Sequence, residues 1–478
     1  MAIDSKLMYG TYVYPFPVDP LNPNRGDIGT IAYDDGVPSL TVHKGVRTTY
    51  SSGTPTNIGP DPKPLFFKNG AGLNRAAVAS IVWVGTVATC TWLVYEADAD
   101  NTTPFTWNDP VAGPVVLTIG GVKTVTNPYA LKTREVSSGV VDLYCIDYDG
   151  KFVFRVRSSG VNGDTYTVQN GYYEFAGVNS NDSFGVDLEI TDDYLYALFI
   201  NGTNLSAGAP TANYLNSTVV KLDFGLGTPP LAYVGPYTST TTGSGFPAKN
   251  AFSIQAYGSD LILTAIGGPQ HGGPTYGGQW NPDSRIQKID QSTLVVTNLL
   301  RAAANSGEPP EDQYDFRALS FSSDGSVAFI LLGVFDTSWV MDWHLYSTDM
   351  TTITTASNAL LSSLSPIEVG FTNGEDGYYW ALWISESTGK TWLARGNDFA
   401  IFDPSTLVVD VSGIGSISTF SVGDFPGLNF ATIYEGEVAP SPHALKGYVA
   451  PAFASNTAQA LAEREKFFQE VAAAKAKR

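Results

Sequence analysis

The chain reads as an all-β protein built from repeated four-stranded units, and three observations carry that expectation. Residues 289–296, 346–353 and 402–409 are near-copies, each running from an apolar strand end through an aspartate and a small polar turn into a β-branched run. Their aspartates, Asp290, Asp349 and Asp403, stand 59 and 54 residues apart, and a recurring period of that size marks a repeat architecture. The composition agrees: 43% of residues are hydrophobic and only 15% charged, against about 25% charged in an average globular chain. Ser, Thr, Asn, Gly and Tyr must therefore form much of the surface, and they suit strands and turns better than long helices. Lastly, runs such as residues 194–200 and 378–384 are apolar without polar alternation, as expected of strands covered on both faces.

The elements follow in order. Residues 1–75 are rich in Pro, Gly and Asn, with short strands expected at 28–33 and 39–46. The prolines of 15–24 rule out helix there, because each removes a donor and restricts its predecessor. From residue 76 strands are expected at 80–84, 86–95, 114–119, 122–126 and 140–146. A regular unit then emerges: a first strand, an acidic or glycine turn, a very apolar second strand, a variable loop, a third strand ending in Asp, and a fourth strand. The first unit takes strands 186–190, 194–200, 219–223 and 231–234. The second takes 252–256, 261–266, 286–290 and 294–297. A third takes 316–321, 327–332, 344–346 and 352–354, and a fourth 367–371, 378–384, 399–403 and 407–409. Asp-Gly turns at 324–325 and 376–377 support hairpins, since a tight turn there needs positive φ. Asp223 extends the aspartate series to four. Weaker copies are expected at 141–168 and 76–126, and a further one would need strands from the N-terminal arm, or from residues 417–420 and 428–434, joined across a ring closure.

Four strands per unit, each paired with its sequence neighbour, make a β-propeller blade. The expected organisation is an N-terminal arm at 1–75, a propeller of six or seven blades at 76–435 (clearest at 184–412), and a linker with a C-terminal docking helix at 436–478. That last helix is predicted from residue 456 onward, with Ser455 or Asn456 as cap and basic residues at its end. Leu461, Phe468 and Val471 share one face, with Phe467 beside them. A helix this short is marginal alone in water, so its stripe needs a partner on this chain or a neighbour.

Bulk properties exclude several functions. A net charge of −19 argues against a nucleic-acid clamp, which needs a basic groove, and no sequence-specific nucleic-acid binding is expected. Cys90 and Cys145 sit in apolar runs and read as buried free thiols. No signal peptide and no membrane-spanning apolar run is visible. The four histidines lie far apart without metal-ligand spacing, no Gly-x-Ser-x-Gly elbow occurs, and no metal, cofactor or catalytic residue is expected.

Two kinds of local signal remain. The glycine-rich loop 267–280 carries His271, Tyr276 and Trp280, which could stack on a sugar or move a proton, or could simply span two strands. The acid pairs Asp192/Asp193 and Glu311/Asp312 could serve glycoside hydrolysis, although adjacent turn residues seldom flank one bond. Asp147-x-Asp149-Gly150 begins like a calcium loop but lacks the later ligands. The recurring Asp223, Asp290, Asp349 and Asp403 read as structural, each able to accept backbone N–H bonds and close the turn after it.

The Asp-x-Ser-Thr units and apolar second strands resemble the blades of YVTN- and NHL-like β-propellers over residues 140–412. That resemblance implies binding of proteins or sugars, with lyases and hydrolases among such families, and it transfers no catalytic residue to this chain. The proline-rich arm, terminal helix and low Cys and Lys content look like those of a bacteriophage virion protein, similar to tail nozzle proteins. The expected role is a non-catalytic structural block in an assembly, located in the virion. Its partners would be copies of itself and other subunits. The alternative is a propeller enzyme or lectin acting on polysaccharide through the 267–280 loop.

Overall fold

A computed structural model describes residues 5–13, 25–34, 37–47, 65–84, 87–96, 110–148, 150–175, 183–201, 216–227, 230–235, 247–248, 251–265, 284–301, 313–321, 325–335, 341–372, 379–384, 391–395, 398–403, 408–412 and 428–435. Side chains are described within residues 65–366. The fold is all-β, and among the described residues seven sheets of four or more strands, antiparallel but for one short added strand, follow one another along the chain.

The first sheet joins both ends of the sequence. Strands β1 (Ser5–Val13), β2 (Arg25–Asp34) and β3 (Val37–Arg47) pair in order, and β31 (Leu428–Glu435) pairs with β1 from Leu7–Glu435 to Val13–Leu428. The second holds β4 (Leu65–Lys68), β5 (Asn74–Val84), β6 (Val87–Glu96) and β7 (Ala112–Val116); a small hairpin, β8 (Thr118–Ile119) and β9 (Lys123–Thr124), follows. The third holds β10 (Pro128–Ser137), β11 (Val140–Asp147), β12 (Phe152–Ser159) and β13 (Thr165–Glu174). The fourth holds β14 (Ser183–Ile190), β15 (Leu195–Asn201), β16 (Asn216–Leu222) and β17 (Ala232–Val234). The fifth holds β18 (Ala251–Tyr257), β19 (Asp260–Ala265), β20 (Arg285–Asp290) and β21 (Val296–Arg301). In the sixth, β22 (Gln313–Phe321), β23 (Val327–Phe335) and β24 (Met341–Asp349) lead to helix α1 (Met350–Thr355). The short β25 (Ala359–Leu360) adds a parallel fifth strand to the fifth sheet, and β26 (Ile367–Thr372) completes the sixth. The seventh holds β27 (Tyr379–Ile384), β28 (Thr391–Arg395), β29 (Asp398–Asp403) and β30 (Val408–Ser412).

Contacts between sheets run in a closed cycle. Strand β31 touches β4, β4 touches β10, β10 touches β14 and β14 touches β18. The cycle continues as β19 meets β22, β22 meets β27, and β27 returns to β31. The result is a β-propeller-like all-β fold. Its core is layered, with one apolar cluster between each pair of successive sheets from the second to the sixth. Strand β15 shows why its sequence lacks alternation. Leu195, Ala197 and Phe199 face the third sheet, while Tyr196, Leu198 and Ile200 face the fifth. Both faces are dry, so both must be apolar; each large side chain buried this way contributes about 1.5–3 kcal/mol.

Several expectations are revised. Residue 75 lies within the β4–β5 hairpin, and the N-terminal strands pair with β31 across the closure, drawing on both segments the sequence offers for it. Residues 352–354, expected as a strand, lie in α1. Asp349 caps that helix by accepting from Thr351 N at 2.6 Å, and Met350 and Ile353, three apart, bury one helical face. The fourth strand of that sheet is β26, which the sequence pattern assigns to the following unit. The seventh sheet accordingly begins at β27 and gains β28, for which no strand was expected. Likewise β10, unpredicted, opens the third sheet, so β11 is its second strand rather than its first. Cys90 and Cys145 are buried and free. Among the described residues no helix is long and apolar enough to cross a membrane.

Candidate functional site

The expected loop residues His271, Tyr276 and Trp280 lie outside the described residues, as do Glu311, Asp312, Leu461, Phe467, Phe468 and Val471. Asp403 ends β29, and its side chain is not described. His344 sits in β24, stacked on Tyr346 with ring centroids 6.0 Å apart.

The other recurring aspartates serve their own turns. Asp290, after the third strand of the fifth sheet, accepts from Ser292 N at 3.0 Å, Ser292 Oγ at 2.6 Å, Thr293 N at 2.7 Å and Thr293 Oγ1 at 2.9 Å. Asp223 accepts from Gly225 N at 2.6 Å in the fourth sheet. Both turns end on a buried leucine with positive φ, Leu226 and Leu294, each at 57°. Such a backbone costs on the order of 1–3 kcal/mol, and burial of the side chain offsets it. Asp147, the would-be calcium ligand, is fully buried and faces protein donors instead: Thr126 N at 2.5 Å, Asn127 N at 3.0 Å and Gly150 N at 2.9 Å. Gly150 is needed for that approach, because a Cβ there would lie 2.7 Å from Asp147 Oδ2.

A cavity of about 480 Å³ opens between the fourth and fifth sheets. Its walls are the β14–β15 turn (Thr191, Asp192, Asp193, Tyr194), Tyr196 and Lys221, facing Gly258, Ser259, Asp290, Gln291 and Ser292. The backbone of Gln291 ties the two sides together. Its carbonyl accepts from Lys221 Nζ at 2.8 Å and from the Tyr196 hydroxyl at 3.1 Å, while its amide N–H donates to Ser259 O at 3.1 Å. Lys221 Nζ also lies 3.8 Å from the centre of the Tyr194 ring, a cation–π contact that holds the amine in place. Asp192 and Asp193 are exposed on the rim.

The cavity edge carries an ionised carboxylate, a tethered amine and a phenol. Hydrogen bonds from the Ser292 and Thr293 side chains and amides hold Asp290 down at about 2, so it stays ionised and cannot act as an acid. Burial pushes the Tyr196 phenol up, which keeps it protonated and donating to the Gln291 carbonyl. The cavity sits at one edge of the two sheets. It is built where first strands turn into second and third into fourth, whereas β19 ends and β20 begins at the opposite edge of the sheet.

The low Asp290 value sets an acid limit. Its folded value lies below the ordinary aspartate value of about 3.9, so its contribution is present above about pH 4 and fades as pH falls toward 2. Replacing Ser292 by Ala and Thr293 by Val together is expected to return the Asp290 midpoint toward the ordinary value, read by carbon-13 NMR of labelled aspartates. An unmoved midpoint would show that these hydrogen bonds are not its cause.

Two buried residues escaped the sequence pattern. Ser217 Oγ accepts from Ala251 N at 2.9 Å, and Ser284 Oγ accepts from Phe316 N at 2.9 Å, each linking one sheet to the first strand of the next. Both stand six residues before a turn aspartate, Asp223 and Asp290. A Ser-x5-Asp spacing was thus available as a signal.

No protein-family model and no curated protein matches the chain. Solved structures show a distant similarity to β-propellers. The C-terminal WD40 domain of Sif2 aligns over 84% of this chain and 93% of its own, at 12% identity and TM-score 0.37. The GH93 α-L-arabinofuranosidase of Fusarium graminearum with arabinobiose aligns over 73% and 91%, at 11% identity and TM-score 0.37. The Trypanosoma rangeli sialidase aligns over 77% and 56%, at 10% identity and TM-score 0.35.

Proposed function

We propose that the chain is a seven-bladed propeller acting as a rigid, non-catalytic building block of a larger assembly, such as the tail of a bacteriophage virion. One observation carries this reading. Strand β31 closes the cycle of sheets on β1 and ends at Glu435, so residues 436–478 are not needed to complete the ring. They include the helix-forming stretch with Leu461, Phe467, Phe468 and Val471, an apolar stripe that must be covered to be stable. A closed block with a spare amphipathic segment is suited to joining copies of itself or other subunits, and repeated use of one latch gives symmetric assembly. A surface of net charge −19 keeps such an assembly from adhering to nucleic acid.

Deleting residues 455–478 is expected to leave a folded β protein that no longer oligomerises. Light scattering reads the mass, and circular dichroism checks the fold. A truncated protein with the parent's mass would sink the reading.

A further inference from the structure

Two neighbouring gaps between sheets are built alike, and the chain fills only one of them. In the third sheet Tyr144 and Arg155 pair in register across β11 and β12. Both reach the fourth sheet: the Tyr144 hydroxyl donates to Phe224 O at 3.0 Å, and the Arg155 guanidinium donates to the same oxygen at 2.8 Å. In the fourth sheet Tyr196 and Lys221 pair in register across β15 and β16, and both donate to Gln291 O in the fifth. Phe224 and Gln291 hold the same place, each following its turn aspartate, Asp223 or Asp290. The first strands correspond too. Lys132 stands opposite Tyr144 and Glu189 opposite Tyr196, so Arg134 and Thr191, each two residues further on, are counterparts.

What differs is the filling. Between the third and fourth sheets the Phe224 ring packs on Tyr144 with centroids 5.7 Å apart, and the Arg134 guanidinium lies 3.9 Å from the centre of the Phe224 ring. The chain plugs this gap with its own ring, held by a cation–π contact. Between the fourth and fifth sheets Gln291 turns back on its own sheet, where its Nε2 donates to Gly258 O at 3.0 Å and Asp260 O at 3.1 Å. Thr191 stays within its own turn, its Oγ1 donating to Tyr194 O at 3.2 Å. The counterpart residues Thr191, Tyr196, Lys221 and Gln291 all line the cavity of about 480 Å³. It therefore takes the place that Phe224 and Arg134 fill one gap earlier. Its volume falls within the about 300–1,000 Å³ of small-molecule sites.

Shape and chemistry together name a ligand class. The plug of the neighbouring gap is a flat six-membered ring against a tyrosine. The rim asks for hydroxyl groups. All four hydrogen bonds that Asp290 accepts from its own turn go to Oδ1, which leaves Oδ2 with no donor among the described residues. Asp192 and Asp193 stand exposed on the facing turn. Carboxylate oxygens accept strongly from hydroxyl groups, whereas three carboxylates repel an anion.

We infer that this cavity seats one neutral six-membered sugar residue of a glycan, its ring in the place of Phe224 and its hydroxyls on Asp290 Oδ2 and the Asp192–Asp193 rim. The rim is exposed, so the glycan continues outward. This adds a binding function to the non-catalytic block and holds whether or not the chain assembles. The test uses the full chain and saturation-transfer NMR. Its probes are the methyl glycosides of glucose, galactose, mannose and N-acetylglucosamine, whose capped anomeric carbon stands in for a linked residue. The free sugars and agmatine, a guanidinium on a flexible chain, are measured beside them. At least one methyl glycoside is expected to bind saturably. Gln291→Phe rebuilds the neighbouring plug, keeps the backbone carbonyl and is expected to abolish that binding. Asp192→Ala with Asp193→Ala, at exposed positions, is expected to weaken it about tenfold, on the order of one lost hydrogen bond to a charged group. Melting curves confirm that the variants fold, and the rim variant carries the test if the plug does not. No response from any methyl glycoside overturns the inference, as does full binding by either folded variant. A free sugar that binds while its glycoside does not overturns the linked residue. Agmatine binding alone overturns the sugar in favour of a basic side chain.

Discussion

A chain ending at residue 427 is expected to lose its cooperative thermal transition and to aggregate, whereas a chain ending at residue 435 keeps the parent's transition. The difference is β31 alone. It supplies the inner strand of the first sheet, paired with β1 along its length, and it touches both β27 and β4. Without it three strands, β1 to β3, lose their inner neighbour, and β1 presents an unpaired edge ready to pair with another chain. The layers on either side are also opened to water. Closure of this kind couples the two ends of the sequence, so its removal acts on the whole cycle and not on one hairpin. Circular dichroism melts of the two truncations, with light scattering for aggregation, provide the measurement. Superimposable melts for both would mean that the cycle does not depend on this strand.

The second large effect is expected at Asp147. Replacement by Ala should destabilise the protein by about 3–5 kcal/mol, since three backbone N–H groups and the Thr126 hydroxyl lose a shared acceptor in a dry site. The carboxylate sits at the end of β11 and fixes both the 126–127 segment that leads into β10 and the turn at Gly150 that leads into β12. Asn at this position keeps one acceptor oxygen but turns amide hydrogens toward the same donors, so an intermediate loss is expected. Urea unfolding midpoints of the three proteins rank them. An Ala variant within about 1 kcal/mol of the parent would show that water replaces the carboxylate, which its full burial argues against.

Much of the fold was legible because its signals are local. The four strands of the fourth and fifth sheets lie within a few residues of where periodicity and turn chemistry place them. Errors arose where two strand-like segments competed for one place. Residues 352–354 and 367–371 are both β-branched or aromatic enough for a strand. Asp349 decides between them by capping a helix, which buries Met350 and Ile353 and leaves the edge of β24 to β26. Strand β28, with its Trp392 and Leu393, was hidden because no aspartate turn marks it.

The candidate site was legible only in pieces. From the sequence Asp192 and Asp193 read as turn acids and Asp290 as scaffold. Nothing in the sequence places the β14–β15 turn opposite Gln291, nearly a hundred residues on.

What the sequence determined by itself is most of the strands of the fourth and fifth sheets, the burial of their second strands on both faces, and the turns at Asp223 and Asp290, because each depends on neighbours within a few residues. What only the tertiary structure decided is that β31 pairs with β1 to make the closure, the cavity between the fourth and fifth sheets, and the close approach of the turns at Gly70, Gly139 and Gly163. Those depend on which sheet edges meet. Sheet order is fixed by the packing of whole faces against one another, which no short stretch of the chain encodes.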